Sequence, residues 1–411
     1  MTNAAHRFGA ARGGKAASLA ILLLCEVCAM SVWFASGAAV AAIKDSAALT
    51  AWQESLLTSS VQAGFVAGTI ASAVLGLADR LDPRRFFMAS AWVAALATLA
   101  LVACPPAGPA VYALRFVTGM CMAGVYPVGM RLAATWAKGD LGLLIGLLVG
   151  ALTLGSASPH LLAAFGGMHW TSIYLAAALL AGIAGLTILL CGVGPAMTRA
   201  ARLNPAAVAQ AWRMRPLRLA NLGYLGHMWE LYAMWAWLAV FLQYSFSLSG
   251  AEDARLAAER VTFAAIGAGA VGAWAGGWCA DRWGRTAVTT AAMAASAACA
   301  LAMGWTAGAP PVLVAALAVA WGITVIADSA QFSASIAELA PPESIGTLLT
   351  AQTCAGFLLT LVSIHLVPVV QATLGWPGAF SMLAAGPALG CIAMQRLRRD
   401  PSAARLAGGR R

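Results

Sequence analysis

The chain has 411 residues, of which 61% are hydrophobic and only 10% are charged, and its mean hydropathy is +0.80. A soluble domain carries about 25% charged residues, so this composition excludes an ordinary water-soluble protein. The net charge of +10 would be typical of nucleic-acid binding in a soluble protein. The positions of the basic residues, taken up below, indicate membrane topology instead, and we expect no nucleic-acid partner.

Apolar segments of roughly 20 residues, enough to cross a bilayer, recur along the whole chain. The first follows a basic N-terminus but exceeds the ~7–15 residues of a signal-peptide core, so we expect an uncleaved helix. Twelve segments are predicted, at residues 18–42, 54–77, 86–104, 110–136, 142–165, 171–193, 219–246, 258–280, 287–306, 312–337, 346–371 and 376–395.

The longest hydrophilic stretch between segments divides them into two sets of six. It predicts an N-terminal half at 1–193, a cytoplasmic linker at 194–218 and a C-terminal half at 219–411 that ends in a basic tail. If the N-terminus is cytoplasmic, 20 of the 25 Lys and Arg residues lie on the cytoplasmic side and three on the other. Cytoplasmic loops of membrane proteins carry this excess. We therefore expect a multi-pass protein of the plasma (cell inner) membrane with both termini cytoplasmic.

Two short hydrophilic turns share the sequence A-D-R. Asp79 and Arg80 follow the second segment, and Asp281 and Arg282 follow the eighth, 202 residues later. The turns occupy the same place in each set of six segments. Repeated halves are a common construction of transporters, with the solute site between them near the middle of the bilayer.

These turns resemble the loop motif G-x-L-A-D-R-x-G-R-K of the major facilitator superfamily, and the likeness extends over the chain in topology and length. The matching residues of the second turn are Gly277, Asp281, Arg282, Gly284 and Arg285. In the first turn Asp79 and Arg80 keep the charged core, whereas Leu75 and Asp82 stand in place of the two glycines. The resemblance implies an all-α integral membrane protein with twelve transmembrane helices in two pseudo-symmetric halves. It also implies that the turns form a cytoplasmic gate.

Two further patterns are similar to members of this superfamily. Arg115 and Gly119 in the fourth segment match its R-x-x-x-G pattern, and residues 126–131 look like the organic-anion and nitrate or cyanate permease branches. The fifth segment is rich in glycine but lacks the G-P-x-x-G-G sequence associated with antiporters.

Four ionisable residues lie well inside apolar segments: Glu26, Arg115, Glu230 and Asp328. Such groups are costly in the bilayer and usually face the bundle interior or a wet cavity. They fall one each on segments one, four, seven and ten, which the resemblance implies line the central cavity. This coincidence indicates a function in proton coupling or solute recognition. A fixed salt bridge of Arg115 with Glu26 or Glu230 is the structural alternative.

Helical spacing adds further polar candidates to these four. His227 lies one turn before Glu230, where it could relay or tune a proton, and Gln331 follows Asp328 by three positions on the same helix face. The pair of His227 and Glu230 supplies too few ligands for a metal site, so we expect no metal.

Aromatic side chains accompany these charged positions. Trp33 and Tyr126 share helix faces with the buried charges of their segments, and Trp229 and Tyr232 fall near the middle of the seventh segment. Such rings could stack on a flat or cationic substrate. Packing within the bundle is an equally good explanation of Trp229 and Tyr232, and pairing with another helix is the alternative for Trp33 and Tyr126.

The leading hypothesis is a secondary active transporter that moves a small organic solute by alternating access, coupled to protons. The sequence contains no ATP-binding Walker motif, so we expect no cofactor and a proton gradient as the energy source. A channel or a transporter-like receptor is the alternative, and a membrane-embedded enzyme is disfavoured because no nucleophile and base share one depth. We expect a monomer in a lipid bilayer.

Overall fold

The computed structural model describes residues 14–138, 140–165, 169–196 and 204–410, and within these ranges all regular structure is helical. Eleven of the helices there are long and apolar enough to cross a membrane. The first ten have the bounds α1 Lys15–Lys44, α2 Ala51–Leu75, α3 Pro83–Ala103, α4 Pro109–Ala134, α5 Gly142–Ala163, α6 Trp170–Leu190, α7 Arg215–Leu248, α8 Ala254–Trp283, α9 Arg285–Thr306 and α10 Pro311–Leu339.

The eleventh apolar helix contains two of the predicted segments. The helical stretch Ile345–Arg398 includes Gly375, whose φ of 67° and ψ of −174° are not helical. We therefore divide it into α11, residues 345–374, and α12, residues 376–398. Each predicted segment then corresponds to one helix, and the predicted fold of twelve transmembrane helices is confirmed.

The connections contain short helices that position the ends of the long ones. Gly76, with a positive φ of 62°, ends α2 and leads into the one-turn helix Leu77–Arg80. The side chain of Asp82 caps α3, accepting a hydrogen bond from the backbone of Arg84. Between the halves lies the helix Pro205–Arg213, while residues 197–203 of the predicted linker lie outside the described residues.

Three of the four predicted cavity helices are interrupted near the middle. The interruption in α1 lies between Met30 and Ala35, that in α4 between Met122 and Tyr126, and that in α10 at residues 327–328. In contrast, α7 runs unbroken. Interrupted helices free backbone carbonyls and amides within the bilayer, which membrane proteins tolerate where a cavity or a polar partner satisfies them.

The two halves contact each other along α5 with α8 and along α2 with α11. Because successive helices cross in opposite directions, residues 15 and 398 lie at one face, which we call the terminal face, and the α1–α2 connection lies at the opposite face. Polar contacts join the halves near the opposite face. They are His160 Nδ1 to Glu259 Oε2 at 2.6 Å, Ser59 Oγ to His365 Nε2 at 2.9 Å, and Arg255 to Asp45 at 2.6 Å.

Candidate functional site

Glu26 of α1 is fully buried, and neither carboxylate oxygen has a hydrogen-bond partner among the described residues. It lies about 16 Å along α1 from Lys15, at ~1.5 Å per residue. A Cβ atom built on Gly129 of α4 would be 2.7 Å from Glu26 Oε2, so this glycine makes room for the carboxyl group. An isolated carboxylate charge is costly in a low-dielectric interior. The stability of this arrangement therefore depends on whether Glu26 carries a proton.

Arg115 of α4 is also fully buried, and its guanidinium donates hydrogen bonds to backbone carbonyls. Its acceptors are Val32 O at 2.7 Å and Trp33 O at the interruption of α1, and Leu57 O of α2 at 3.2 Å. Within the described chain Arg115 makes no ion pair with Glu26 or Glu230, so neither predicted salt bridge is present. Its fork of donors instead satisfies the carbonyls that the broken helix frees.

Glu230 of α7 is buried and fully hydrogen-bonded. Trp321 Nε1 of α10 donates to Glu230 Oε1 at 2.7 Å, and Ser296 Oγ of α9 lies 2.9 Å from both carboxylate oxygens. Two neutral donors from two other helices thus anchor this carboxyl group. The anchor ties α7, α9 and α10 together inside the C-terminal half.

His227 and Asp328 form a second buried arrangement one turn away. His227 Nδ1 lies 2.8 Å from Asp328 Oδ1 at the interruption of α10, although the atoms are not aligned for a hydrogen bond. His227 Nε2 has no partner among the described residues, and the ring packs 5.5 Å from that of Phe332. The pair joins α7 to the interruption of α10 inside the C-terminal half.

Gln331 connects this region to the second A-D-R turn. Its side-chain oxygen accepts a hydrogen bond from Arg285 at 2.7 Å, and Arg285 also donates to both oxygens of Glu338 at 2.8 and 2.6 Å. Asp281 lies 3.7 Å from Arg285 and faces Gly142 at the start of α5 in the other half. The turn is therefore joined by side chains to α10 and placed against the N-terminal half.

The remaining motif residues of the second turn differ in their roles. The guanidinium of Arg282 stacks 3.6 Å from the ring centroid of Trp278, and Gly284 adopts a φ of 93° at the start of α9. Gly277 has open space around it, so its lack of a side chain is not required by packing here.

The first turn has a different geometry, which accounts for its departure from the motif. The backbone reverses at Gly76, and Asp82 adopts a φ of −61° as the cap of α3, so a glycine is not needed there. Arg84 hydrogen-bonds to Asp82 through Nε at 3.2 Å and through a terminal nitrogen at 2.8 Å. Partial burial acts to raise the pKa of Asp82, but the hydrogen bonds from Arg84 outweigh it and lower the pKa. The side chain of Asp79 lies outside the part of the chain that is described.

A cluster of aromatic rings fills the space between the halves at the level of the α1 interruption. Trp33 contacts Phe65 of its own half at 5.1 Å and Tyr232 and Phe357 of the other half at 6.2 and 5.7 Å between ring centroids. Gln62 accepts a hydrogen bond from Trp33 Nε1 at 3.1 Å. The predicted residues Trp33 and Tyr232 are thus brought together across the two halves.

The other two predicted aromatic residues lie apart from this cluster. Trp229 donates through Nε1 to Met382 O of α12 at 3.0 Å and packs against Gly386, within the C-terminal half. Tyr126 begins the second part of α4 and is partly buried, on the side of Glu26. The structure thus places Trp229 against the backbone of α12.

Several residues of these arrangements were not among the predicted site residues. Ser296, Trp321 and Gln62 supply the partners of predicted residues, but a single hydroxyl, indole or amide within an apolar run carries no distinguishing signal. His160 and His365 do stand out in the sequence as isolated polar residues. Their partners lie on the other half, which only the packing reveals.

Comparison with known proteins gives both a family and a fold. The sequence profile of the Major Facilitator Superfamily matches residues 22–364. A mutant of the nucleoside transporter NupG superposes with a TM-score of 0.73 at 13% identity, over 93% of this chain and 100% of that chain. The human organic anion transporter MFSD10 (TETRAN) superposes with a TM-score of 0.67 at 14% identity, over 93% of this chain and 100% of that chain. The comparison with curated proteins gives no match.

The two structural similarities, at low identity, establish the fold. The profile match covers most of the chain, including both A-D-R turns and all four interior charges. The chain therefore belongs to the Major Facilitator Superfamily of membrane transporters.

Proposed function

We propose that this protein is a proton-coupled permease that moves a small organic solute by alternating access. The observation that carries the proposal is Glu26, a buried carboxyl group without a described partner between the interrupted helix α1 and Gly129 of α4. A static structural carboxylate would be paired or hydrogen-bonded. In this proposal Glu26 is buried as the neutral acid. It releases its proton only when water or a cationic group enters the site, and this links proton release to solute movement.

The C-terminal half supplies a second set of proton-binding groups. His227 and Asp328 lie 2.8 Å apart at the interruption of α10, and Gln331 on the next turn is hydrogen-bonded to Arg285 of the gate. A change of charge at Asp328 can thus act on the gate through one short stretch of α10. Glu230, held by two neutral donors, serves in this proposal as the fixed anchor of α7.

Alternating access requires that the halves separate at one face while they close at the other. The polar contacts at the opposite face, such as His160 with Glu259, are the ones that must break for that face to open. The excess of Lys and Arg in the terminal face supports a cytoplasmic location of both termini in the plasma (cell inner) membrane. We propose a monomer that needs the proton gradient and no cofactor.

The test begins with a thermal-shift screen of the purified protein against nucleosides, organic anions, amines and other metabolites. The solute that stabilises it most is then offered to proteoliposomes with and without an imposed pH gradient. We expect solute uptake to rise with the size of the pH gradient. The luminal pH should change in proportion to the amount of solute taken up. Glu26→Gln should retain solute exchange between two solute-loaded sides but lose accumulation driven by the gradient.

Glu252→Gln, at an exposed position of the α7–α8 connection, is the matched control and should accumulate solute as the unmodified protein does. Uptake that is indifferent to the pH gradient, with Glu26→Gln and Asp328→Asn both silent, would refute proton coupling. A current that never saturates with solute would indicate a channel instead.

A further inference from the structure

An open basin of about 860 Å³ lies beside the first A-D-R turn, at the terminal face. Its polar lining consists of Arg80, Asp82, Arg84 and Arg85, so positive charges exceed negative ones by two. Asp82 forms an ion pair with Arg84 at 2.8 Å. The excess charge therefore belongs to Arg80 and Arg85, both of which are exposed.

The two repeats differ at this basin. Arg282 in the second turn is stacked on Trp278, four residues before it. The corresponding position in the first turn, four residues before Arg80, is Gly76. Arg80 therefore lacks the aromatic residue one turn before it on which Arg282 stacks, and no hydrogen bond or ion pair joins its side chain to another described residue. Arg80 and Arg85 line an open cavity and have no acidic partner among the described residues, so they are suited to bind an external anion.

The basin also has an apolar wall at the ends of the spanning helices α3 and α6. Leu81 and Leu189 line it and are 43% and 42% exposed. Further exposed apolar side chains continue from it along α3 and α6, away from the terminal face, at Trp92, Val93, Leu96 and Leu186. A ligand that fits this surface carries a negative head and an apolar tail.

We propose that this basin binds an anionic phospholipid, with the phosphate between Arg80 and Arg85 and the acyl chains along α3 and α6. The position favours a lipid over a soluble phosphate because one wall is open to the apolar surface of two spanning helices. Basic residues at the membrane surface attract anionic lipids, by about fivefold in affinity for each charge.

The proposal is tested with the full-length protein in detergent, to which phosphatidylglycerol or phosphatidylcholine of the same chain length is added. Bound lipid is counted by native mass spectrometry, and the melting temperature is measured in parallel. We expect the unmodified protein to retain phosphatidylglycerol selectively. The double variant Arg80→Gln with Arg85→Gln should bind it about 25-fold more weakly, as expected for two charges. Both positions are exposed, so its melting temperature in phosphatidylcholine should equal that of the unmodified protein.

Arg399→Gln, an exposed arginine beyond α12 that does not line the basin, is the matched control and should leave lipid retention unchanged. An equal loss in this control would show diffuse charge attraction and overturn the proposal, as would equal retention of the two lipids. Inorganic phosphate is added as a third probe. Displacement of phosphatidylglycerol by millimolar phosphate, or an unchanged affinity in the double variant, would also overturn it.

Discussion

At the scale of single residues, the two most deeply buried charges have opposite surroundings. Arg115 donates to three backbone carbonyls, whereas Glu26 has no described partner at all. A buried charged group with hydrogen-bond partners stabilises the structure around it. A buried ionisable group without partners is a candidate for a change of charge during function. In the proposed mechanism Arg115 is therefore the structural charge and Glu26 the proton-coupling group.

Replacing Arg115 by lysine should destabilise the protein strongly. A single ammonium cannot span the carbonyls of Val32, Trp33 and Leu57, and each lost hydrogen bond to a charged group costs about 1.5–3 kcal/mol. We expect a clearly lower melting temperature of the purified Arg115→Lys protein in detergent, with Arg399→Lys as an exposed control. A melting temperature equal to that of the unmodified protein would show that the carbonyls are satisfied in another way.

The sequence predicted that Arg115 and Glu26 matter but not how they differ. Both predictions followed from the cost of charge in a membrane, which depends only on position within an apolar segment. The partners of Arg115 are backbone carbonyls freed by the interruption of α1. That interruption spans Ser31–Phe34, a stretch without the proline or glycine from which a helix break could be predicted.

At the scale of helices, close approach depends on particular glycines. A Cβ atom built on Gly276 of α8 would lie 1.9 Å from Ala327 O at the interruption of α10, whereas nothing lies within 4 Å of one built on Gly277. Gly276 therefore lies in a tight contact with α10, whereas the adjacent Gly277 faces open space. The tight one supports the break in α10 that carries Asp328.

Gly276→Ala should disrupt this contact and lower both the yield and the melting temperature, because a helix backbone cannot shift by the required distance without repacking. Gly277→Ala is the matched control, and it should be neutral or slightly stabilising since alanine is the better helix former by about 1 kcal/mol. Fluorescence-detected size-exclusion chromatography at increasing temperature measures both. The opposite order of stabilities would show that α8 and α10 are packed differently.

Helix number and order were predictable at this scale, because twelve apolar runs separated by polar or proline-rich turns leave little choice of topology. The helix interruptions, and the contacts of glycines with the backbone of neighbouring helices, could not be predicted from the sequence. They depend on which face of each helix meets its neighbour, and runs rich in Ala and Leu such as α5 have too little polar contrast to define a face. Gly277 matches the family motif, yet a side chain at this position would meet no neighbouring atom. A match to the motif therefore did not predict a close helix contact here.

At the scale of the whole molecule, the halves are joined by polar side chains near the opposite face. Asp45 of the N-terminal half pairs with Arg255 of the C-terminal half at 2.6 Å. Cysteines at these two positions, in a background without the nine native cysteines, can be bridged by a short reducible thiol reagent. The bridge should stop solute uptake, because that face can no longer open, and reduction should restore it.

Either single cysteine treated with the same reagent is the control and should transport normally. Continued uptake after complete cross-linking would mean that solute crosses without separation of the halves at this face. Such a result would contradict alternating access while leaving the fold untouched.

In the proposed mechanism, protonation of Glu26 shifts the equilibrium between the two conformations of the halves. Double electron–electron resonance tests it without a known solute, with spin labels at Ala48 and Glu252 on the opposite face and at Lys138 and Glu343 on the terminal face. Between about pH 5 and pH 8, the range in which perturbed acids and histidines change charge, we predict that one distance grows as the other shrinks. Glu26→Gln should abolish this dependence. Distances that do not change with pH at either face, or that change equally in Glu26→Gln, would contradict the claim.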